Sequence, residues 1–71
     1  MINLGIIGAG YMAEKYMEVL DNNYKFKVQC IAANTIKSSR KLSKKYKIKY
    51  FYNDYKEMLK RNKLDAVIIA C

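Results

Sequence analysis

The sequence has no histidine, no proline, only three glycines, two cysteines and six acidic residues. Without histidine, a histidine-based catalytic triad is excluded, and a zinc site lacks one of its two usual ligand types. Cys30 lies inside an apolar segment and Cys71 is the last residue, a spacing that indicates neither a disulfide framework nor a metal site. We therefore predict no metal site in this chain.

The sequence also shows no pattern that is typical of a linker or of a leader sequence. Proline is absent and no segment is repetitive or low in complexity, so the 71 residues show no domain boundary. The apolar segment over residues 2–13 has no basic region before it, contains three glycines and is followed by Glu14 and Lys15. Signal peptides and membrane spans do not have this pattern. We expect one cytoplasmic unit without a membrane partner.

The scarcity of acidic residues leaves a formal net charge of +8. No acid lies between Asp21 and Asp54, and this interval holds a dense basic segment: Lys37, Arg40, Lys41, Lys44, Lys45, Lys47 and Lys49. Such a field attracts phosphate-bearing partners, either a dinucleotide or a nucleic acid. The same pattern is typical of a solvated helix face in a lysine-rich protein, and we favour that interpretation over nucleic-acid binding.

Apolar periodicity predicts four strands that alternate with three helices. The strands are expected where β-branched and apolar residues run together, at residues 2–7, 28–33, 48–52 and 66–70. The helices are expected over residues 11–21, after a cap at Thr35 or Ser38, and after a capping box formed by Asp54 and Glu57. This alternation predicts an α/β fold of order βαβαβαβ, with a parallel sheet and right-handed crossovers.

The first predicted strand leads directly into the segment from Gly8 to Ala13, which matches the dinucleotide fingerprint G-x-G-x-x-G/A in its alanine form. Gly8 permits the tight turn from strand to helix, and Gly10 has no side chain to block a pyrophosphate. Ala13 is small enough for the helix to pack closely on the strand. Backbone N–H groups around Tyr11 and Met12 then face the anion. These five residues therefore form a predicted dinucleotide site.

The end of the second predicted strand lacks the acidic residue that bonds the ribose 2′-OH and selects NAD. Asn34 stands there and can bond the ribose hydroxyls as a neutral group. Hydroxyl and basic groups close behind it could instead accept a 2′-phosphate: Thr35, Lys37, Ser38, Ser39 and Arg40. Any one of the hydroxyls could equally serve only to cap a helix. We expect NADP or NAD as the cofactor, with NADP slightly favoured.

Four segments resemble the N-terminal domain of the Gfo/Idh/MocA oxidoreductases, which include glucose–fructose oxidoreductase and inositol 2-dehydrogenase: residues 5–13, 41–46, 52–59 and 64–70. The resemblance implies that residues 1–71 are the N-terminal part of an NAD(P)-binding Rossmann domain. It implies a partial sheet of order 3-2-1-4, with the remaining strands and the substrate domain absent. The cofactor contacts that it implies come from Gly8, Gly10, Tyr11, Met12, Asn34, Thr35 and Ser38.

In that family a larger α+β domain binds the substrate and mediates oligomerisation, and most members oxidise or reduce sugars or cyclitols. The catalytic lysine of the family belongs to a Glu-Lys-Pro motif after the next strand. At the end of the fourth strand the family usually continues as Thr-Pro-Asn beside the cofactor, and here Cys71 stands at the Thr position. The resemblance therefore implies the dinucleotide-binding portion of an NAD(P)-dependent oxidoreductase, with no catalytic residue in this chain. A sugar-like substrate and a homo-oligomer are expected only in a longer parent protein. The alternative is a non-catalytic, nucleotide-sensing Rossmann domain.

Overall fold

The computed structural model describes residues 1–70, and the expectation for Cys71 lies outside the described residues. Within that range the elements are β1 (Ile2–Ile7), α1 (Tyr11–Leu20), β2 (Phe26–Ala32), α2 (Ile36–Tyr46), β3 (Tyr50–Tyr52), α3 (Tyr55–Arg61) and β4 (Ala66–Ile69). The strands form one parallel sheet in the order β3-β2-β1-β4. The predicted fold and strand order are confirmed. The longest of these helices has 11 residues, and none within residues 1–70 has the length and apolar character needed to span a membrane.

Some element ends differ from the prediction because of contacts between distant residues. β2 begins at Phe26, earlier than predicted, because Ile2 of β1 pairs with it in the parallel ladder. β3 begins only at Tyr50. Before it, Lys47 adopts a left-handed conformation with φ of 57° and closes α2, and Ile48 is buried in the turn that follows.

The predicted capping box before α3 is only half formed. The Asp54 carboxylate accepts a hydrogen bond from the Lys56 backbone N–H at 2.9 Å, as an N-cap does. The Glu57 side chain does not complete the box, because it accepts a hydrogen bond from Arg61 at 2.8 Å, one helical turn further on. Asp54 therefore begins the helix without help from Glu57.

Helices cover both faces of the sheet, and each face has its own apolar cluster. The cluster beneath α1 and α2 includes Ile6, Ala13, Met17, Ile31, Leu42 and Ile48. The cluster beneath α3 is formed by Cys30, Ala32 and Met58, with Ile7, Leu64 and Val67 packed against it. Neighbouring residues of β1 and β2 alternate between the two clusters, as a strand requires. Burial on both faces explains why these two strands are apolar runs in the sequence.

The buried face of α2 is partly polar. Ser39 and Ser43 are buried, and their hydroxyls donate to the carbonyl oxygens of Ile36 at 3.1 Å and Arg40 at 2.8 Å. Because these hydroxyls are satisfied within the helix, they need no partner elsewhere. The large apolar residues of α2 form only a thin stripe, Ile36, Leu42 and Tyr46, and of these only Leu42 is buried.

We expect Cys30 to resist alkylation while the protein is folded. Its side chain is fully buried beside Ala32 and Met58, and burial raises the pKa of its thiol to about 11. The thiolate is the reactive form, and a rise of about two in pKa lowers its fraction at neutral pH by about a hundredfold. Peptide mass spectrometry after iodoacetamide treatment, with and without urea, measures the labelling of Cys30. Equal labelling rates in the two conditions would contradict the burial of this thiol.

Candidate functional site

The carboxyl ends of the strands open onto one groove of about 690 Å³. Its described wall is mostly apolar or backbone and consists of Ile7, Gly8, Ala9, Gly10, Tyr11, Met12, Ala32, Ala33, Asn34, Ser38, Asn53, Asp54, Tyr55 and Ala70. Open α/β sheets bind ligands at this edge, at the point where the strand order reverses. β1 lies between β2 and β4, so the groove lies at that reversal point.

The turn from β1 to α1 is held from both sides. Gly8 has a φ of 118°, a conformation that residues with a side chain rarely adopt, so this position requires glycine. Its backbone N–H donates to the Ala32 oxygen of β2 at 2.7 Å. On the other side, the Ala70 N–H donates to the Ile7 oxygen at 2.8 Å. The turn is therefore tied to both strands that neighbour β1.

Gly10 leaves open space where the groove meets the start of α1. It is the N-cap of α1 with a φ of −89°, which any residue can adopt, and a Cβ here would have no heavy atom within 4 Å. As a glycine it offers no side-chain cap to the helix. The first N–H groups of a helix, here those of Tyr11, Met12 and Ala13, have no acceptor within the helix. At the positive end of the helix dipole, these donors suit a pyrophosphate.

The structure brings most of the predicted cofactor contacts into the groove wall, namely Gly8, Gly10, Tyr11, Met12, Asn34 and Ser38. Ala13 does not line the groove. It is fully buried on the face of α1 that packs on the sheet, where its small side chain permits close packing. Thr35 does not line the groove either, because it caps α2: its hydroxyl accepts from the Ser38 N–H at 3.2 Å and donates to the Ser38 hydroxyl at 2.9 Å.

The residues expected to hold a 2′-phosphate are mostly elsewhere. Ser39 is fully buried and donates to Ile36, so the prediction that it accepts a phosphate is wrong. All seven side chains of the basic segment are exposed, and none is among the described residues that line the groove. One of them, Lys45, donates a hydrogen bond to Glu14 in the first turn of α1, and this lowers the pKa of the Glu14 carboxyl. Lys45 therefore offsets the negative charge that Glu14 adds near the start of α1.

The sequence interpretation missed the segment that follows β3. Asn53, Asp54 and Tyr55 line the groove, and Asp54 is the only charged residue in its described wall. The segment lies beside the end of β2, because the Ala33 N–H donates to the Tyr52 oxygen at 3.1 Å. A signal was present, since the carboxyl ends of parallel neighbours share one edge of a sheet. The strand order 3-2-1-4 that the family resemblance implies already placed β3 beside β2, so this segment could have been named as part of the site.

A groove at the point where the strand order reverses, with glycines in the turn from β1 to α1, is typical of a dinucleotide site. Comparison with protein families supports the same interpretation. Residues 2–71 match a family model described as an oxidoreductase family with an NAD-binding Rossmann fold. The chain belongs to the Gfo/Idh/MocA family. The resemblance found in the four sequence segments is thereby confirmed. No curated protein matches this Gfo/Idh/MocA chain.

Solved structures share the fold of this Gfo/Idh/MocA chain. The myo-inositol 2-dehydrogenase from Lactobacillus plantarum is 22% identical with a TM-score of 0.88, over 99% of this chain and 21% of that one. A scyllo-inositol dehydrogenase from Lactobacillus casei, with NAD(H) and scyllo-inositol bound, is 19% identical with a TM-score of 0.88. The match covers 100% of this chain and 21% of that one. A Gfo/Idh/MocA oxidoreductase from Vibrio cholerae is 26% identical with a TM-score of 0.82. The match covers 97% of this chain and 22% of that one. The chain thus spans about a fifth of their length.

Proposed function

We propose that residues 1–71, as the N-terminal part of a Rossmann domain, bind an adenine dinucleotide for an oxidoreductase that acts on a sugar or cyclitol by hydride transfer. The observation that carries the proposal is the groove, where the open space at Gly10 meets the first N–H groups of α1, which no side chain caps. A sugar-like substrate is supported by the inositol dehydrogenases that share this fold. Substrate binding and homo-oligomer formation are proposed for a longer parent protein.

Each residue of the proposed site has its own role in binding. Gly8 makes the turn and Gly10 leaves room for the pyrophosphate, which accepts hydrogen bonds from the backbone at Tyr11 and Met12. Asn34 and Ser38 line the groove after the end of β2, where the adenosine ribose is expected. Ala13 and Thr35 act indirectly, by packing α1 on the sheet and by beginning α2. The bound cofactor supplies the hydride chemistry.

A direct titration tests the proposal. NADH and NADPH are added separately to the purified protein, and binding is followed by calorimetry and by nicotinamide fluorescence. We expect saturable binding of one dinucleotide per chain. AMP should bind more weakly than either dinucleotide, because it has a single phosphate and lacks the pyrophosphate bridge. Failure of both dinucleotides to saturate at millimolar concentration would contradict the proposal.

The preference for NADP that the sequence suggests loses part of its support. It depended on Lys37 and Arg40 as partners for a 2′-phosphate, and both lie outside the described groove wall. The hydroxyl of Ser38 remains in the wall but is already bonded to Thr35. We therefore propose an adenine dinucleotide without assigning NADP on these grounds.

Ala33→Asp is expected to shift cofactor preference toward NADH. Ala33 lines the groove directly after β2, so a carboxylate there could accept from the ribose hydroxyls and would repel a 2′-phosphate. We expect the ratio of the NADPH Kd to the NADH Kd to rise by about tenfold, the effect of about 1.4 kcal/mol. Titrations of both dinucleotides measure the ratio. Ala33→Asn is the control of equal size without charge, and an unchanged ratio in Ala33→Asp would refute the expectation.

A further inference from the structure

We infer that Asp54 selects NAD over NADP, by supplying from the end of the third strand the carboxylate that the end of the second strand lacks. The inference rests on the proposed function, because it concerns the same groove. It assigns a specificity-determining role to a residue that lies twenty positions away from the usual acidic position in the sequence.

The pairing of β2 with β3 brings the segments that contain Asn34 and Asp54 to the same edge of the sheet. Ala32 and Tyr52 form the last pair of this ladder, and the Ala33 N–H continues the contact by donating to the Tyr52 oxygen at 3.1 Å. Asn34 and Asp54 each follow that pair by two residues, on neighbouring chain segments that leave strands about 4.8 Å apart. Both residues line the groove. Asp54 therefore lines the same groove as the position from which an acid normally reads the ribose.

The carboxylate of Asp54 is held in place without losing its ability to bind. As the N-cap of α3, it accepts one hydrogen bond from the Lys56 N–H at 2.9 Å through Oδ1. An ionised carboxylate offers about four acceptor positions on its two oxygens. The cap thus orients the group and leaves acceptor positions for ribose hydroxyls.

The charges of the groove favour a ribose hydroxyl over a 2′-phosphate. Asp54 is the only charged residue in the described wall, so its negative charge meets no cation there. Lys37 and Arg40 are exposed on α2 and lie outside that wall. A 2′-hydroxyl can donate a hydrogen bond to the carboxylate, whereas a 2′-phosphate can only be repelled by it. Discrimination of this kind arises as much from repulsion of the wrong ligand as from attraction of the right one.

Neutral variants that keep the helix cap test the inference. Asp54→Asn and Asp54→Ser both retain a side chain that caps helices well, so α3 should still form. We expect the unmodified protein to bind NADH more tightly than NADPH. In both variants the preference for NADH should fall by at least about tenfold, mainly through tighter binding of NADPH, because juxtaposed like charges are costly at an interface. Asp21→Asn is the matched control, since it removes the same charge at the exposed end of α1, outside the described groove wall.

The possible results separate this inference from the proposed function. If both dinucleotides bind and neither Asp54 variant changes their affinity ratio, the inference is overturned while the proposed function stands. An equal change in Asp21→Asn would assign the effect to net charge and would also overturn it, as would a preference of the unmodified protein for NADPH. If the unmodified protein binds neither dinucleotide, the proposed function fails and the inference fails with it.

Discussion

Gly10→Val is expected to remove dinucleotide binding while the fold remains. A side chain at Gly10 meets no heavy atom within 4 Å in the protein itself, so it extends into the space that the pyrophosphate would occupy. The φ of −89° is compatible with valine, and the replacement of a glycine N-cap costs about 1 kcal/mol or less. We expect the Kd for NADH to rise by at least about a hundredfold, which corresponds to about 2.8 kcal/mol.

Calorimetric titration gives this affinity, and circular dichroism with thermal melting shows whether the fold is retained. Gly10→Ala is an informative intermediate, because it adds a single methyl group at the same point. Its affinity should lie between those of the unmodified protein and Gly10→Val. Equal affinity in Gly10→Val and the unmodified protein would show that the pyrophosphate does not approach the turn here.

Gly5→Val is expected to have the opposite effect and to disrupt the fold itself. Gly5 is buried in the middle of β1, and a Cβ there would lie 2.7 Å from Leu64 Cδ1, 3.1 Å from Met58 Cε and 3.2 Å from Cys30 Sγ. Valine adds two further methyl groups to a site where three neighbours already converge. Overpacking of a core costs about 1–3 kcal/mol and occasionally more. We expect a loss within that range, since the three neighbouring atoms are side-chain ends that can shift, against a total stability of about 4–11 kcal/mol for a chain of 71 residues.

Urea unfolding followed by circular dichroism measures the loss. Gly10→Val serves as the matched control, since the same substitution five residues further along should lower the unfolding free energy by about 1 kcal/mol or less. A second test uses Gly5→Ala with and without Leu64→Ala, which removes the nearest clashing atom. The double variant should be more stable than the sum of the single effects predicts. Strict additivity, or a Gly5→Val protein as stable as the unmodified one, would contradict the packing described here.

The turn that carries the proposed function could be predicted because its determinants are local. The requirement of Gly8 for a positive φ and the space left by Gly10 follow from their places between one strand and one helix. The packing role of Ala13 could also be predicted, because α1 has to lie close to the sheet at this residue. The wrong prediction for Ser39 has a different origin. Which serine of α2 faces the sheet depends on how the helix is rotated against it, and a thin apolar stripe defines that rotation poorly.

By itself the sequence determined the element order, the parallel sheet and the dinucleotide turn. The hydrophobic periodicity and the glycine spacing that indicate them involve only residues close together in the chain. Only the tertiary structure showed that Asn53, Asp54 and Tyr55 share the groove with that turn. Asp54 reaches the groove because β3 pairs with β2, and a side chain at Gly5 is disfavoured because Leu64 and Met58 pack over it. These contacts join residues far apart in the chain. Their partners are chosen by strand register and side-chain packing, which no short stretch of sequence contains.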